Sequence, residues 1–244
     1  MKGICALMAA LLAAPLWAAS LTYQVAGSDF EGYQTRGRDG GPIILLIHDW
    51  DGLTDYEIKR SKMLGKLGYN VFAVDLFGKG VRPATIEARR EATGALYQDR
   101  ARMRQLLEGG LTAARQALGE GPVVVLGYCF GGAAALEMAR SGSPLAGVVS
   151  VHGGLATPPD QDYGKTRAAL LILHGSADAS VSLQEFASLA EQLEKAGVRH
   201  EMTSYSGAPH AFSVFGGERY HQEADAKSWQ RLIGWLAEVT GRAG

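Results

Sequence analysis

Val123-Val124-Val125-Leu126-Gly127-Tyr128-Cys129-Phe130-Gly131-Gly132-Ala133-Ala134-Ala135 is the stretch from which the fold of this chain can be built outward. Pro122 opens a short, unbroken apolar run, the pattern of a strand buried on both faces of a parallel sheet. The run enters Gly-x-Cys-x-Gly, and a helical stretch follows from Ala133 to Arg140. Strand, sharp turn and helix in this order make a nucleophile elbow, here with cysteine at the apex. The turn is tight enough to strain the apex residue, and side chains two positions to either side would collide with the strand and the helix. Gly127 and Gly131 remove those side chains. Cys129 is then lifted above the sheet at a helix N-terminus, where free amides and the helix dipole favour a thiolate.

Runs of the same kind recur on both sides. Ile43 to Ile47, Val71 to Val74, Ala146 to Val151, Ala168 to Leu173 and His200 to Tyr205 read as strands, and Leu21 to Ala26 with Gly32 to Arg36 as a first hairpin. Helical stretches lie between them. One is capped by Thr54 and Asp55 and runs to Leu67, and Pro83 to Leu118 reads as two helices broken near Gly109-Gly110. Leu183 to Ala196 stops at Gly197, and Gln222 to Val239 is the last helix. Strands alternating with helices dictate an α/β fold, a mostly parallel central sheet with helices on both faces. Connections are short and no solenoid repeat is visible, so residues 20–244 read as a single domain.

Composition narrows the function class. The chain has 244 residues, enough for one sizeable core. Lys and Arg number 24 against 25 Asp and Glu, with no basic stripe, so charge gives no case for nucleic acid or an anionic membrane. Lys2, the apolar run Gly3 to Leu16 and the small residues around Trp17-Ala18-Ala19-Ser20 form a secretory signal pattern, residues 1–19, with cleavage near Ala18 or Ala19. The run is short for a membrane span, which needs about 20 residues; an uncleaved anchor or a buried helix is the alternative. The expectation is a periplasmic or secreted protein with no stable membrane insertion once the signal is removed. Of the two cysteines, Cys5 leaves with that segment, so Cys129 can form no internal disulfide. A lone buried thiol can be inert, and the elbow is what argues for reactivity.

A thiol nucleophile needs a base, and the elbow is followed in chain order by an acid and then a histidine. The strand Ala168–Leu173 runs into His174-Gly175-Ser176-Ala177-Asp178, which puts Asp178 in a loop at the carboxyl edge of the sheet, where open α/β sheets bind ligands. Asp160 and Asp162 fall in a proline-rich stretch and read as surface residues. After the last strand comes Ser206-Gly207-Ala208-Pro209-His210-Ala211-Phe212, which brings His210 to the same edge. His210 takes the thiol proton and Asp178 fixes its tautomer. His152 and His174 read as strand-end residues whose rings satisfy nearby backbone groups, and His200 and His221 as solvated or structural. An oxyanion hole would use the amide of Phe130 and one from the loop after Ile43–Ile47, that of Trp50.

Ile47-His48-Asp49-Trp50-Asp51-Gly52-Leu53, Val74-Asp75-Leu76-Phe77-Gly78, Gly127-Tyr128-Cys129-Phe130-Gly131-Gly132, His174-Gly175-Ser176-Ala177-Asp178 and Pro209-His210-Ala211-Phe212 together resemble the dienelactone hydrolase family of α/β-hydrolases, over nearly all of the chain after residue 19. The resemblance implies an α/β-hydrolase fold, the triad Cys129, Asp178 and His210, oxyanion donors Trp50 and Phe130, and hydrolysis of an unsaturated lactone or related ester without metal or organic cofactor. It also implies that an acid after His48 controls the resting thiol. Family members usually carry Glu there, and here it is the shorter Asp49. The family's two carboxylate-holding arginines correspond to Lys79 and Val214, and neither offers a bidentate fork. Arg82 could compensate from the same loop as Lys79, or be merely solvated.

The leading expectation is hydrolysis of a small ester or lactone through a thioester acyl-enzyme, by a monomer. A broad carboxylesterase or thioesterase is the alternative within that class, and a non-catalytic ligand-binding protein on a hydrolase scaffold the alternative outside it. Trp50, Tyr128 and Phe212 are candidate pocket walls, although each could equally be core.

Overall fold

A computed structural model describes residues 17–241. The signal expectation for residues 1–16 lies outside the described residues. Eight strands form one sheet: β1 (Ala18–Val25), β2 (Ser28–Thr35), β3 (Ile43–Ile47), β4 (Asn70–Val74), β5 (Val123–Tyr128), β6 (Gly147–Val151), β7 (Ala169–Gly175) and β8 (His200–Tyr205). Six helices connect or follow them: α1 (Asp55–Lys66), α2 (Ile86–Gln98), α3 (Arg100–Leu118), α4 (Phe130–Ser141), α5 (Leu183–Lys195) and α6 (Gln222–Thr240). The strand order is β1-β2-β4-β3-β5-β6-β7-β8. The β1–β2 and β2–β4 pairs are antiparallel and the rest are parallel, which is the architecture expected from the alternation of elements.

Period-two alternation divides the core. Ile43, Leu45, Ile47, Val123, Val125, Val148, Leu170 and Ile172 face one way and pack with residues of α2, α3, α4 and α5. Ile44, Leu46, Val124, Leu126, Val149, Leu171 and Leu173 face the other and pack with Leu64 of α1 and Leu232, Trp235 and Leu236 of α6. Because both faces are covered, the central strands are apolar at every position.

The helix break expected near Gly109-Gly110 lies elsewhere. Both glycines are inside α3, and the chain breaks at Asp99, whose carboxylate accepts the Arg102 amide and caps α3. The glycines serve packing instead. A Cβ on Gly109 would come within 2.4 Å of Val25, and one on Gly110 within 2.2 Å of Val74, so their absence lets α3 lie directly on β1 and β4. The first hairpin is tighter than the sequence suggests. Only Ala26 and Gly27, both at positive φ, separate β1 from β2, and this extends both strands.

Parallel register brings the carboxyl ends of β3, β5, β6, β7 and β8 to one edge. The chain adds β4 on one side of β3 and β5 on the other, so the crevice above β3 and β5 is the switch point where such sheets place ligands.

Candidate active site

Cys129 sits at that crevice between β5 and α4, with φ 50° and ψ −113°. The clash argument holds atom by atom. A Cβ on Gly127 would lie 1.9 Å from the Gly131 carbonyl oxygen, and one on Gly131 would lie 2.5 Å from that of Ile47. Among the described residues, the other non-glycines at positive φ are Ala26, His152 and Ala211. Two of these three flank the thiol's partners, so backbone strain concentrates around this edge.

His210 Nε2 lies 3.1 Å from Cys129 Sγ, and His210 Nδ1 lies 2.7 Å from Asp178 Oδ2. The other Asp178 oxygen accepts the amides of Ser180 and Val181, which fixes the carboxylate. Burial pushes the Asp178 carboxyl up, but the hydrogen bond and charge of His210 and these amides outweigh it and hold it below the ordinary value. Gly175 makes the pairing possible, since a Cβ there would stand 2.3 Å from the Ala208 carbonyl oxygen. The β7 and β8 loops therefore abut.

Asp49 reaches the thiol despite its short side chain. Burial first, then the charge and hydrogen bond of Asp49, raise the Cys129 thiol well above its ordinary value, against the Phe130 amide and the charge of Arg219. The helix N-terminus favours a thiolate, but burial and the adjacent carboxylate outweigh it and shift the thiol upward. The amide of Phe130 bonds the sulfur, and the amide of Trp50 donates to Asp49 Oδ1. Beneath them, His48 Nε2 accepts the Leu76 amide, so the Nδ1 nitrogen carries the proton and donates to the Asp49 carbonyl. Glu57 of α1 accepts the Asp49 amide and closes a capping box with Thr54.

Burial pushes the Asp49 carboxyl from 3.8 to about 6, against the bonds from Trp50 and Cys129. A carboxyl raised on folding contributes stability that is fully present below about pH 4 and lost as pH rises through about 6. Asp49→Asn is therefore expected to match the wild type near pH 4 and to exceed it by about 1–3 kcal/mol at pH 7.5. Urea unfolding at the two pH values measures this. An equal difference at both would show that Asp49 is not destabilised by its charge.

Two cavities flank the thiol. One of about 210 Å³ is lined by Asp49, Trp50, Cys129, Ser180, His210, Ala211 and Arg219. The other, of about 190 Å³, is lined by Trp50, Thr93, Tyr97, Cys129, Phe130, Gly154, Val181 and His210. A larger depression between β1 and α3, about 740 Å³, holds no nucleophile and lies away from this edge. Among the described residues, no group of three or more His, Cys, Asp or Glu side chains is arranged to hold a metal ion.

Several expected wall residues lie elsewhere. Tyr128 and Phe212 are buried in the core on the α1 and α6 face, because alternation along β5 turns Tyr128 away from the crevice. Its ring packs edge-on against Tyr56, with centroids 5.1 Å apart. Lys79 is exposed in the Gly78–Gly80 turn and lines neither cavity. Arg82 is committed to the Leu53 carbonyl and to Glu31. His152 bonds the Ser213 hydroxyl at 2.8 Å, and the His174 ring stacks on Phe186. His221 caps α6 through the Ala224 amide, and His200 opens β8 half-buried. Arg219, Tyr97 and Thr93 were not singled out from the sequence. Arg219 lies in a glycine-rich loop without a motif, and the two α2 residues fall in a long helical stretch whose apolar periodicity marks no cleft.

Comparison with known proteins gives the family and the fold. The sequence model described as "Dienelactone hydrolase family" matches residues 30–240. A Salmonella typhimurium protein named "Putative carboxymethylenebutenolidase" is 23% identical over 232 residues, covering 89% of this chain and 86% of that one. A solved structure named m3DLH superposes with TM-score 0.86 at 27% identity, over 92% of this chain and 99% of its own. A dienelactone hydrolase-like promiscuous phosphotriesterase from metagenomic libraries gives TM-score 0.83 at 25% identity, over 92% and 98% of the two chains.

Proposed function

The chain belongs to the dienelactone hydrolase family of the α/β-hydrolase superfamily, and from that premise we propose that it hydrolyses a small ester or lactone with Cys129 as nucleophile. The observation that carries the proposal is the unbroken relay from Cys129 Sγ through His210 to Asp178, at 3.1 and 2.7 Å. His210 takes the thiol proton as sulfur attacks the carbonyl carbon. The C–S bond forms, the carbonyl oxygen becomes an oxyanion, and the amides of Phe130 and Trp50 receive it. Collapse expels the alkoxide, which His210 protonates. His210 then deprotonates a water that attacks the thioester, releasing acid and regenerating the thiol. The Trp50 amide is free for this only when Asp49 turns from it, so a substrate that displaces the Asp49 carboxylate completes the oxyanion hole.

A broader carboxylesterase activity is favoured over strict dienelactone specificity by one feature: Lys79 stands away from the cavities. Arg219 is the cation lining the cavity beside Asp49, but it is exposed. A panel of activated esters and lactones, with intact-mass analysis of enzyme quenched during turnover, tests the proposal. The expected result is a mass increase equal to the acyl group, located on the Cys129 peptide. Turnover with the acyl group on any other residue would refute the assignment, and a chain that binds esters without cleaving them would be a binding protein on this scaffold.

We further propose that residues up to Ala18 or Ala19 direct secretion and that the enzyme works outside the cytoplasm as a monomer. Cleavage after Ala19 would leave Ser20–Val25 of β1 paired with β2. Among the described residues, no helix is long and apolar enough to cross a membrane.

A further inference from the structure

A further depression, of about 500 Å³, shares Tyr97 with the cavity beside Phe130 and is otherwise lined by Gln98, Arg100 and the 156–160 loop. Among the described residues, Tyr97 alone lines both, with 36% of its surface exposed. The lobe nearer the thiol is mainly apolar, walled by Trp50, Phe130 and Val181, and the Thr93 hydroxyl is already bonded to the Arg89 carbonyl of its own helix. Tyr97 is one helical turn beyond Thr93 at the end of α2, on the same face. Its ring is held from two sides. Phe130 meets it edge-on with centroids 5.5 Å apart, and the Arg100 guanidinium lies 4.8 Å from its centre. Arg100 is itself fixed, donating to the Tyr97 carbonyl and to the buried Glu137 carboxylate.

We infer that Tyr97 is the specificity-determining wall of this site: the non-reacting arm of the ester lies in the apolar lobe, and the Tyr97 ring sets how long that arm can be. The ring, held by Phe130 and Arg100, borders both a lobe of about 190 Å³ and a depression of about 500 Å³, so it sets how much of a longer arm finds cover. Removing the ring joins the two spaces. Longer arms then gain buried apolar surface instead of meeting the ring, and each added methylene that finds cover raises kcat/KM about three- to fourfold. The inference rests on the hydrolase reading of Cys129 and specifies the substrate class for it, neutral esters with a short apolar arm.

The experiment compares wild type, Tyr97→Ala, Tyr97→Val and Tyr97→Phe on two ester series, each profile scaled to its own shortest member. In one series the acyl chain grows from two to ten carbons on a constant p-nitrophenolate. In the other the alkyl alcohol grows on a constant acetyl group. The expected result is a wild-type profile that falls beyond a short arm in one series, the same profile in Tyr97→Phe, and an optimum moved to longer arms in Tyr97→Ala and, by less, in Tyr97→Val. A loss of helix packing alone would lower all lengths together and move no optimum. Should the alanine variant fail to fold, the valine variant decides the same question. Coincident profiles in both series overturn the inference while wild-type turnover leaves the hydrolase reading standing. A wild type that cleaves no ester overturns both.

Discussion

Cys129→Ala is expected to lower kcat for an activated ester by roughly 10⁴-fold or more, with His210→Ala costing nearly as much and the double variant little more than either alone. The reason is geometric. Burial and Asp49 push the thiol up and so favour its protonated form, and attack then needs a base to take the proton. His210 Nε2, 3.1 Å away, is placed to do so, and Asp178 keeps the opposite nitrogen protonated. Removing either the sulfur or the imidazole removes the whole nucleophilic pathway, which is why the losses should not multiply. What remains is catalysis by the oxyanion amides and by binding. Asp178→Asn should cost less than His210→Ala, because the Asp178 loop still orients the ring in part. Steady-state kinetics on one p-nitrophenyl ester measure all four. If the Cys129 and His210 losses multiplied in the double variant, the two side chains would be acting independently and the relay would be wrong.

The fold was legible because its signals are local. A five-residue apolar strand such as Ile43–Ile47 can be read from its own sequence, and the elbow from a few residues around Cys129. The juxtaposition of Cys129, His210 and Asp178 was legible because chain order and strand ends together place Asp178 and His210 at one edge. Contacts set by three-dimensional approach were not legible. Gly109 and Gly110 look like a helix break, and only the proximity of Val25 and Val74 reveals them as a packing surface. Tyr128 neighbours the nucleophile in sequence, yet strand alternation sends it to the opposite face. Tyr97 and Arg219 reach the cavities from α2 and from the loop before α6, far from any motif. The upward shift of the thiol also depends on tertiary structure, since burial and Asp49 together outweigh the helix N-terminus that the sequence displays.

Asp225→Ala is expected to destabilise the protein by about 3–5 kcal/mol, a fall of roughly 10 °C in Tm. Arg60 of α1 is 1% exposed and bonds Asp225 of α6, so losing the carboxylate leaves a buried guanidinium without its counter-charge. The surrounding rings soften the loss only in part: Arg60 lies 4.2 Å from the centre of Phe215 and 5.0 Å from that of Trp229. Replacing both partners with apolar residues, as in Arg60→Met with Asp225→Leu, should recover most of the stability, because desolvation then costs nothing. Activity should not recover with it. Arg60 also donates to the Ser213 carbonyl at 2.9 Å, and the Ser213 hydroxyl bonds both Tyr56 and His152. The His152 ring packs edge-on against His210, with centroids 5.6 Å apart, so this network supports the loop that carries the base. The double replacement keeps the core filled but releases Ser213, and the predicted signature is a near-normal Tm with a lowered kcat. A double variant restored in both Tm and kcat would mean that the ion pair serves stability alone and that the His210 loop is held by its other contacts.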